Sequence, residues 1–529
     1  MKKVDFGRLM RQAVSLFADR EALVNVERNR RFTFKELHLL TNRVCNMMQD
    51  RFGLKKGDAY ATLLENDNNS LISFWAAKGC STGLWLNYRD SFDEHLYQID
   101  YIGPKLIFME TGLLDHYYES LRQRKMEIVC MDKPPEKREG VHCFWELVEQ
   151  ASDADTGVEY EPGDAEKHIV LFRFTGGTTG RGKCAMYTLD NLMGPMYHLY
   201  SHPENYIDGQ TRFLHVTPIT HATVCMVLPT FFRGGVNVTI NTPDLKHFCQ
   251  VIQQERITFT FVVPTLLYRL LEMGMEKQYD LSSLQVVMYG ASPMSPAKLV
   301  ELQEKFGNIF IQGYGATEAF PPVMILGQKE HEIITEEDRV RLYSAGRPLT
   351  GVEIKIAGDD GNEVKEGESG EIWVRSPSVI GGYYKDPEQT AEGFSGDGFW
   401  KSGDIGYRDS KGYIYIVDRK KDMIISGGFN VYAIEVENVL NSHPAVQISA
   451  VISVPHGDWG EEVFAEVVLK EGAQVSVGEL IDFCKEKIAR YKVPKAVAFV
   501  QELPLSPVGK VLRRKIREKY WREQERQVH

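Results

Sequence analysis

Residues Phe174–Met186 read Phe-Thr-Gly-Gly-Thr-Thr-Gly-Arg-Gly-Lys-Cys-Ala-Met, directly after the apolar run Ile169-Val170-Leu171-Phe172. A strand that runs into glycines, hydroxyls and one lysine has the parts that hold a nucleotide triphosphate. Glycines let backbone N–H groups approach phosphate oxygens, threonines add donors, and Lys183 adds a charge. Taken alone, the same residues also suit a Gly/Thr-rich surface turn.

Further chemistry-bearing groups stand downstream. Thr317 and Glu318 follow a glycine-punctuated strand end at Gln312–Ala316, and Asp404 follows Ser402-Gly403. Lys510 lies in a basic tail with Arg513, Arg514, Lys515, Arg517 and Lys519. In isolation Tyr314 reads as core, Asp404 as a solvated turn and Lys510 as part of an exposed helix face. Gly177, Gly182 and Lys183 fit the G-x-x-x-x-G-K spacing of a P-loop NTPase. That motif continues with Ser or Thr to hold Mg²⁺, whereas this chain has Cys184, and a thiol is a poor ligand for a hard cation.

These groups need elements to position them. At 529 residues the chain exceeds one ordinary core and should divide into domains. Residues 1–130 alternate strand and helix patterns: Phe32-Thr33-Phe34 precedes an amphipathic stretch to Met48, Ala61–Leu64 reads as a strand, and Leu71–Ala77 as a buried helix. The alternation resumes over 211–325, with strands at Val236–Ile240, Thr258–Val263, Gln285–Tyr289 and Asn308–Ile311. Such alternation implies parallel sheets covered by helices. Leu349–Arg375 suggests a β-rich subdomain. After Asp418-Arg419-Lys420-Lys421-Asp422, roughly a hundred residues have their own apolar pattern, enough for a small α+β domain. The expected division is 1–418 and 419–529.

Composition narrows the classes. A formal charge of −11 gives no reason to expect nucleic acid and suits an anionic membrane surface poorly. Eight cysteines without a Cys-x-x-Cys pair indicate neither a zinc site nor a disulfide framework, and imply reduced thiols in the cytoplasm. No apolar run reaches the length of a membrane span, so no stable membrane insertion is expected.

Several motifs in one order then carry a resemblance. Thr175–Gly180 with Lys183 is similar to the T-[SG]-G-T-T-G-x-P-K-G loop of the adenylate-forming superfamily, with Gly182 in place of its proline and Cys184 in place of its last glycine. Gln312-Gly313-Tyr314-Gly315-Ala316-Thr317-Glu318, Ser402-Gly403-Asp404, Asp418-Arg419, Ser426-Gly427-Gly428-Phe429-Asn430 and Pro507–Arg514 match its later signatures. The chain resembles the acyl-CoA synthetases of that superfamily from Leu86 to Lys515. The resemblance implies a large N-terminal domain of two αβα-type subdomains with a β-rich subdomain, and a small mobile α+β C-terminal domain. It implies ATP, Mg²⁺ and coenzyme A as co-reactants of a small carboxylic acid, in a monomer or homodimer.

Residue roles follow from the same resemblance. Thr175, Gly176, Gly177, Thr178, Thr179, Gly180 and Lys183 would cradle the β- and γ-phosphates. Thr317 would donate to the α-phosphate and Glu318 would hold Mg²⁺. Tyr314 would lie against adenine, with Gly290, Ala291 and Ser292 opposite and Gly313, Gly315 and Ala316 beside it. Asp404 and Arg419 would hold the ribose. Lys510 would bridge the carboxylate and the α-phosphate, Lys421 would be the hinge, and Ser426, Gly427 and Gly428 would line the pantetheine channel. The two loop replacements would alter its stiffness, and Cys184 would add bulk near the phosphates.

His221, Val263, Gly290 and Gly315 are the expected acyl pocket. No Asp or Glu lies between Thr217 and Val227 to pair an ammonium group, which disfavours amino acids and favours fatty, aromatic or alicyclic acids. Two other readings share the motifs: transfer of the acyl adenylate to a carrier protein or to oxidation, and a non-catalytic nucleotide sensor.

Overall fold

The computed structural model describes residues 6–79, 81–156, 167–175, 182–242, 244–426, 429–456, 460–506 and 509–521. Gly176, Gly177, Thr178, Thr179 and Gly180 of the expected phosphate loop, and Gly427 and Gly428 of the expected pantetheine channel, lie outside the described residues.

Two mostly parallel sheets with antiparallel edge strands form the bulk of the molecule. In the seven-stranded sheet, Ala59–Leu64 and Thr82–Asn87 are central, flanked by Leu106–Met109 on one side and Ile169–Phe174 on the other. The pairing is parallel up to Ile169–Phe174, which turns back antiparallel onto Cys184–Thr188. In the nine-stranded sheet, Arg212–His215, Phe259–Val262, Val286–Gly290 and Phe310–Tyr314 run parallel in that order. These strands are near-continuous apolar runs, as expected where both faces are covered. Expected strands at 236–240, 258–263 and 285–289 are thus present within one residue of their ends, and that at Asn308–Ile311 is displaced to 310–314.

Helix starts follow local chemistry. Thr33 caps Phe34–Asn46 by accepting from the Glu36 N–H, while the Glu36 carboxylate accepts from the Thr33 N–H. The buried helix expected over Leu71–Ala77 is a correction: the segment is turns leading into a 3₁₀ stretch at Trp75–Gly79. Its backbone bonds alternate between three and four residues back, as Ile72 N–H to the Asn69 carbonyl at 3.2 Å and Ser73 N–H to the same carbonyl at 3.0 Å, while Ser73 Oγ donates to that carbonyl at 2.6 Å and Trp75 Nε1 to the Ser70 carbonyl at 2.7 Å.

A four-stranded antiparallel sheet, Glu353–Ala357, Gly370–Arg375, Trp400–Arg408 and Ile414–Arg419, extends the expected β-rich segment by more than forty residues. The chain then crosses at 420–423 into a five-stranded sheet. Its strands are Phe429–Val431, Ile424–Ser426, Gly460–Leu469 and Val446–His456, with Ala496–Phe499 parallel to the third. Helices Ala433–Asn441 and Val477–Lys487 cover it over a separate apolar core. No helix among the described residues is long and apolar enough to cross a membrane.

Candidate active site

The C-terminal edges of the two parallel sheets, the inner edge of the four-stranded sheet and the loop around Lys510 face one cleft of about 2410 Å³. Ligands bind at such strand ends because the sheet topology leaves a crevice there.

The side expected to hold phosphates rests on the antiparallel pair Ile169–Phe174 and Cys184–Thr188. Thr175 N–H donates to the Lys183 carbonyl at 2.8 Å, and Lys183 N–H donates to Thr175 Oγ1 at 3.1 Å, closing the neck of the loop. A Cβ at Gly182 would stand 2.2 Å from the Thr175 carbonyl oxygen, so this neck admits no side chain there. Cys184 does not crowd the phosphate side as expected from sequence. Strand alternation turns it away from Lys183 and into a hydrophobic cluster with Phe172 and Leu84, where burial pushes its thiol up to about 12.

The Thr317–Glu318 tip is built by a chain reversal. Val323 N–H donates to the Tyr314 carbonyl at 2.8 Å and Ala316 N–H to the Ala319 carbonyl at 3.0 Å; a Cβ on Gly315 would lie 2.6 Å from that of Pro321. The segment Ser376–Lys385 stitches this tip to the phosphate strand. Ile380 N–H donates to the Glu318 carbonyl at 2.9 Å, and Tyr384 N–H to the Cys184 carbonyl at 2.8 Å. Between them the Tyr383 hydroxyl donates to Glu318 Oε1 at 2.9 Å, while its ring faces Lys183 Nζ at 5.0 Å. Tyr383 thereby joins the cation to the carboxylate. It carried no sequence signal, since its partners lie 200 and 65 residues away.

On the side expected to hold the nucleoside, Gly290 and Gly313 pair at the ends of adjacent strands, and a Cβ on Gly290 would fall 2.3 Å from the Gly313 carbonyl oxygen. Ala291 and Ser292 follow on the cleft wall. Asp404 is buried and doubly held: Tyr314 donates its hydroxyl to Oδ2 at 2.6 Å, and Arg419 Nε lies 2.7 Å from Oδ1. Burial, then the Asp404 charge, hold the Tyr314 phenol well above its ordinary value.

Lys510 reaches the cleft on a tight turn. Gly509 adopts a left-handed φ of 83°, Gly509 N–H donates to the Ser506 carbonyl at 2.8 Å, and Ser506 N–H to the Lys510 carbonyl at 2.7 Å. Thr265 Oγ1 donates to the Gly509 carbonyl at 3.0 Å, and a Cβ on Gly509 would sit 3.1 Å from Val263 Cγ2. The small domain is thus docked with Lys510 at the mouth of the large one. Lys510 lines the cleft and is exposed to solvent. Desolvation, then Arg419, lower its pKa to about 8 against the support of Asp404. Behind it Arg513 is clasped by Glu437 at 2.9 and 2.6 Å and lies 3.8 Å from Asp422. Asp418, buried and accepting from the Arg419 and Ala433 amides at 2.7 and 2.5 Å, is pushed up to about 6 by burial. Lys421 is lowered by burial and, less strongly, by Arg419.

The expected acyl pocket lines the same cleft through Thr217, Thr220, His221, Phe261, Val263 and the glycine edge. Asn66 fixes this loop: its Nδ2 donates to the Thr217 carbonyl at 3.0 Å and its Oδ1 accepts from Ile219 N–H at 2.8 Å. Burial first, then Arg173 and Arg89, lower His221 to about 3, so its imidazole is neutral. Arg173 was not singled out in the sequence; it stands inside the apolar strand that precedes the glycine loop.

A two-sheet α/β body and a small C-terminal sheet thus share one cleft, to which Lys510 is brought. Comparison with known proteins gives the family. The AMP-binding enzyme family matches residues 10–384, and the AMP-binding enzyme C-terminal domain matches 435–510. The chain belongs to the AMP-binding enzyme family. It is 37% identical over 439 residues to the medium/long-chain-fatty-acid–CoA ligase FadD8 of Mycobacterium tuberculosis, covering 81% of this chain and 69% of that protein. It is 31% identical to the 2-succinylbenzoate–CoA ligase of Bacillus licheniformis, covering 97% and 100%. Among solved structures, ATP-bound MatB from Rhodopseudomonas palustris superposes with a TM-score of 0.84 at 26% identity, over 98% of this chain and 100% of that one. The apo form of MatB superposes at 0.76 and 27% identity, over the same shares.

Proposed function

We propose that the protein is an ATP-dependent acyl-CoA synthetase, which activates a carboxylic acid as its acyl adenylate with release of pyrophosphate and then forms the CoA thioester with release of AMP. One observation carries this reading: Lys183, Glu318, the Tyr314–Asp404–Arg419 cluster and Lys510, drawn from both domains, face a single cleft. A carboxylate is too poor an electrophile to form a thioester unaided. Preorganised cations and donors around the α-phosphate supply the electrostatic stabilisation that the transfer needs.

In this reading Lys183 and the Thr175–Gly180 loop hold the outer phosphates, Thr317 donates to the α-phosphate, and Asp404 with Arg419 orients the ribose against Tyr314 and Gly290–Ser292. Glu318 offers the hard oxygen ligand that Mg²⁺ requires, and Tyr383 fixes that carboxylate's orientation by a hydrogen bond to Oε1. The ion, when bound, neutralises phosphate charge. Lys510 bridges the incoming carboxylate and the α-phosphate. The better superposition on the ATP-bound than on the apo relative supports assigning the present domain arrangement to the adenylation step. The two domains, 1–418 and 419–529, then rotate about Lys421, bringing Ser426, Gly427 and Gly428 to the cleft so that pantetheine can enter. Scattered cysteines without a pairing motif favour the cytoplasm as its compartment.

The test is a panel of carboxylic acids with ATP and Mg²⁺, scored for pyrophosphate and then, after CoA is added, for AMP and thioester. Acid-dependent pyrophosphate with thioester supports the reading. Product formed only with a phosphopantetheinylated carrier protein, or nucleotide binding without turnover, refutes it.

A further inference from the structure

Arg173 is a buried cation on the acyl side of the cleft, 7% exposed, with no ion pair to any described residue. Its strand pairs it with Ala185, and alternation points it away from the Phe172 cluster and toward the cleft. Its guanidinium lies 5.6 Å from the Tyr187 ring centroid and 5.9 Å from that of Phe320. Its charge is felt at His221 and at buried Cys225, and the hydroxyl of the neighbouring Tyr187 donates to the Thr317 carbonyl. Aromatic faces shelter a guanidinium but do not neutralise it. A desolvated charge without a counter-ion is costly, and removing one partner of a buried pair typically costs several kcal/mol.

We propose that Arg173 is a specificity-determining residue that receives a second anionic group on the substrate, so that the enzyme prefers dicarboxylic acids, activating one carboxylate while Arg173 holds the other. The inference rests on the adenylating reading given above. The reacting carboxylate lies toward Lys510 and Thr317, and the remote one sits beside His221 and Phe320. The neutral imidazole of His221 adds a polar neighbour without competing for the anion. The same cation repels an ammonium group, in keeping with the absence of acidic residues between Thr217 and Val227. A site built around one polar contact strongly rejects the analogue that lacks it, because its own group is then left unpaired.

The experiment uses the full-length protein and Arg173→Met and Arg173→Lys variants, verified as folded by thermal melts. The substrates are matched pairs: straight-chain monocarboxylic acids with their α,ω-dicarboxylic counterparts, and arylalkanoic acids with and without a ring carboxylate. Acid-dependent pyrophosphate release gives kcat/KM for each acid and KM for ATP. The wild type should favour the dicarboxylic member of at least one pair by about 10²-fold or more. Arg173→Met should abolish that preference, mainly through KM for the acid, and Arg173→Lys should keep part of it, with KM for ATP unchanged. Preference of the wild type for the monocarboxylic members overturns the proposal and leaves the adenylating reading standing. So does an equal loss for both members in Arg173→Met, or a loss confined to ATP binding. No acid-dependent pyrophosphate from either series overturns both.

Discussion

Lys510 gives the account its most specific pH dependence. Its ammonium must be charged to hold an acyl carboxylate against an α-phosphate. Desolvation in the cleft, with Arg419 next and Arg513 behind, lowers its pKa from 10.5 to about 8, which Asp404 and Asp422 oppose. The sign follows directly: raising the pH through about 8 discharges the lysine and removes the bridge. With a pKa of about 8 the charged fraction falls about tenfold between pH 7 and pH 9, whereas an ordinary lysine would lose only a few per cent. The assay is kcat/KM for acid-dependent pyrophosphate release without CoA, since that ratio reports the free enzyme. In Lys510→Arg the limb should vanish because guanidinium does not titrate in this range. In Lys510→Ala adenylation should fall on the order of 10²–10³-fold, the typical loss for one preorganised charge, while thioester formation from preformed acyl adenylate survives. A flat profile to pH 9.5, or a limb that persists in Lys510→Arg, refutes the reasoning.

Other perturbations probe the remaining groups. In Asp404→Asn, an amide must replace a carboxylate that accepts from Tyr314 at 2.6 Å and pairs with Arg419 at 2.7 Å; ATP binding measured by calorimetry should weaken about 10–100-fold, and a change under twofold contradicts the ribose assignment. Tyr383→Phe keeps the ring that faces Lys183 but removes the hydrogen bond to Glu318. The Mg²⁺ concentration for half-maximal adenylation should rise about tenfold while KM for the acid stays constant; an unaltered Mg²⁺ dependence argues against Tyr383 as a positioning residue. Lys421→Pro fixes φ at the crossing between domains and should suppress one half-reaction far more than the other when the two are assayed separately; equal retention of both removes the hinge from this position.

The Gly290 and Gly313 edge and the cluster of Tyr314, Asp404 and Arg419 were singled out through the order of motifs along the chain, since in isolation Tyr314 reads as core and Asp404 as a solvated turn, and the structure brings them to one cleft. Lys510 was legible only through order along the chain, since a lysine in a basic tail has no local mark. The misreadings have a common physical origin in tertiary contacts. Leu71–Ala77 has helical apolarity, yet its backbone bonds alternate between three and four residues back, and the Ser73 and Trp75 side chains add bonds to the Asn69 and Ser70 carbonyls. Cys184 adjoins Lys183 in sequence, but a strand sends consecutive side chains to opposite faces, so it joins the core. Arg173 and Tyr383 went unnoticed because their roles depend on neighbours brought by other elements: Phe320 in one case, Lys183 and Glu318 in the other. No window of sequence contains those pairs.

The central claim is that one cleft uses ATP to adenylate a carboxylate before any thiol arrives. Its most direct test is exchange of labelled pyrophosphate into ATP by the full-length protein, with and without a carboxylic acid and in the absence of CoA. The account predicts exchange that requires the acid and is lost in Lys510→Ala. Exchange independent of the acid, or consumption of ATP to ADP and phosphate instead, would contradict it.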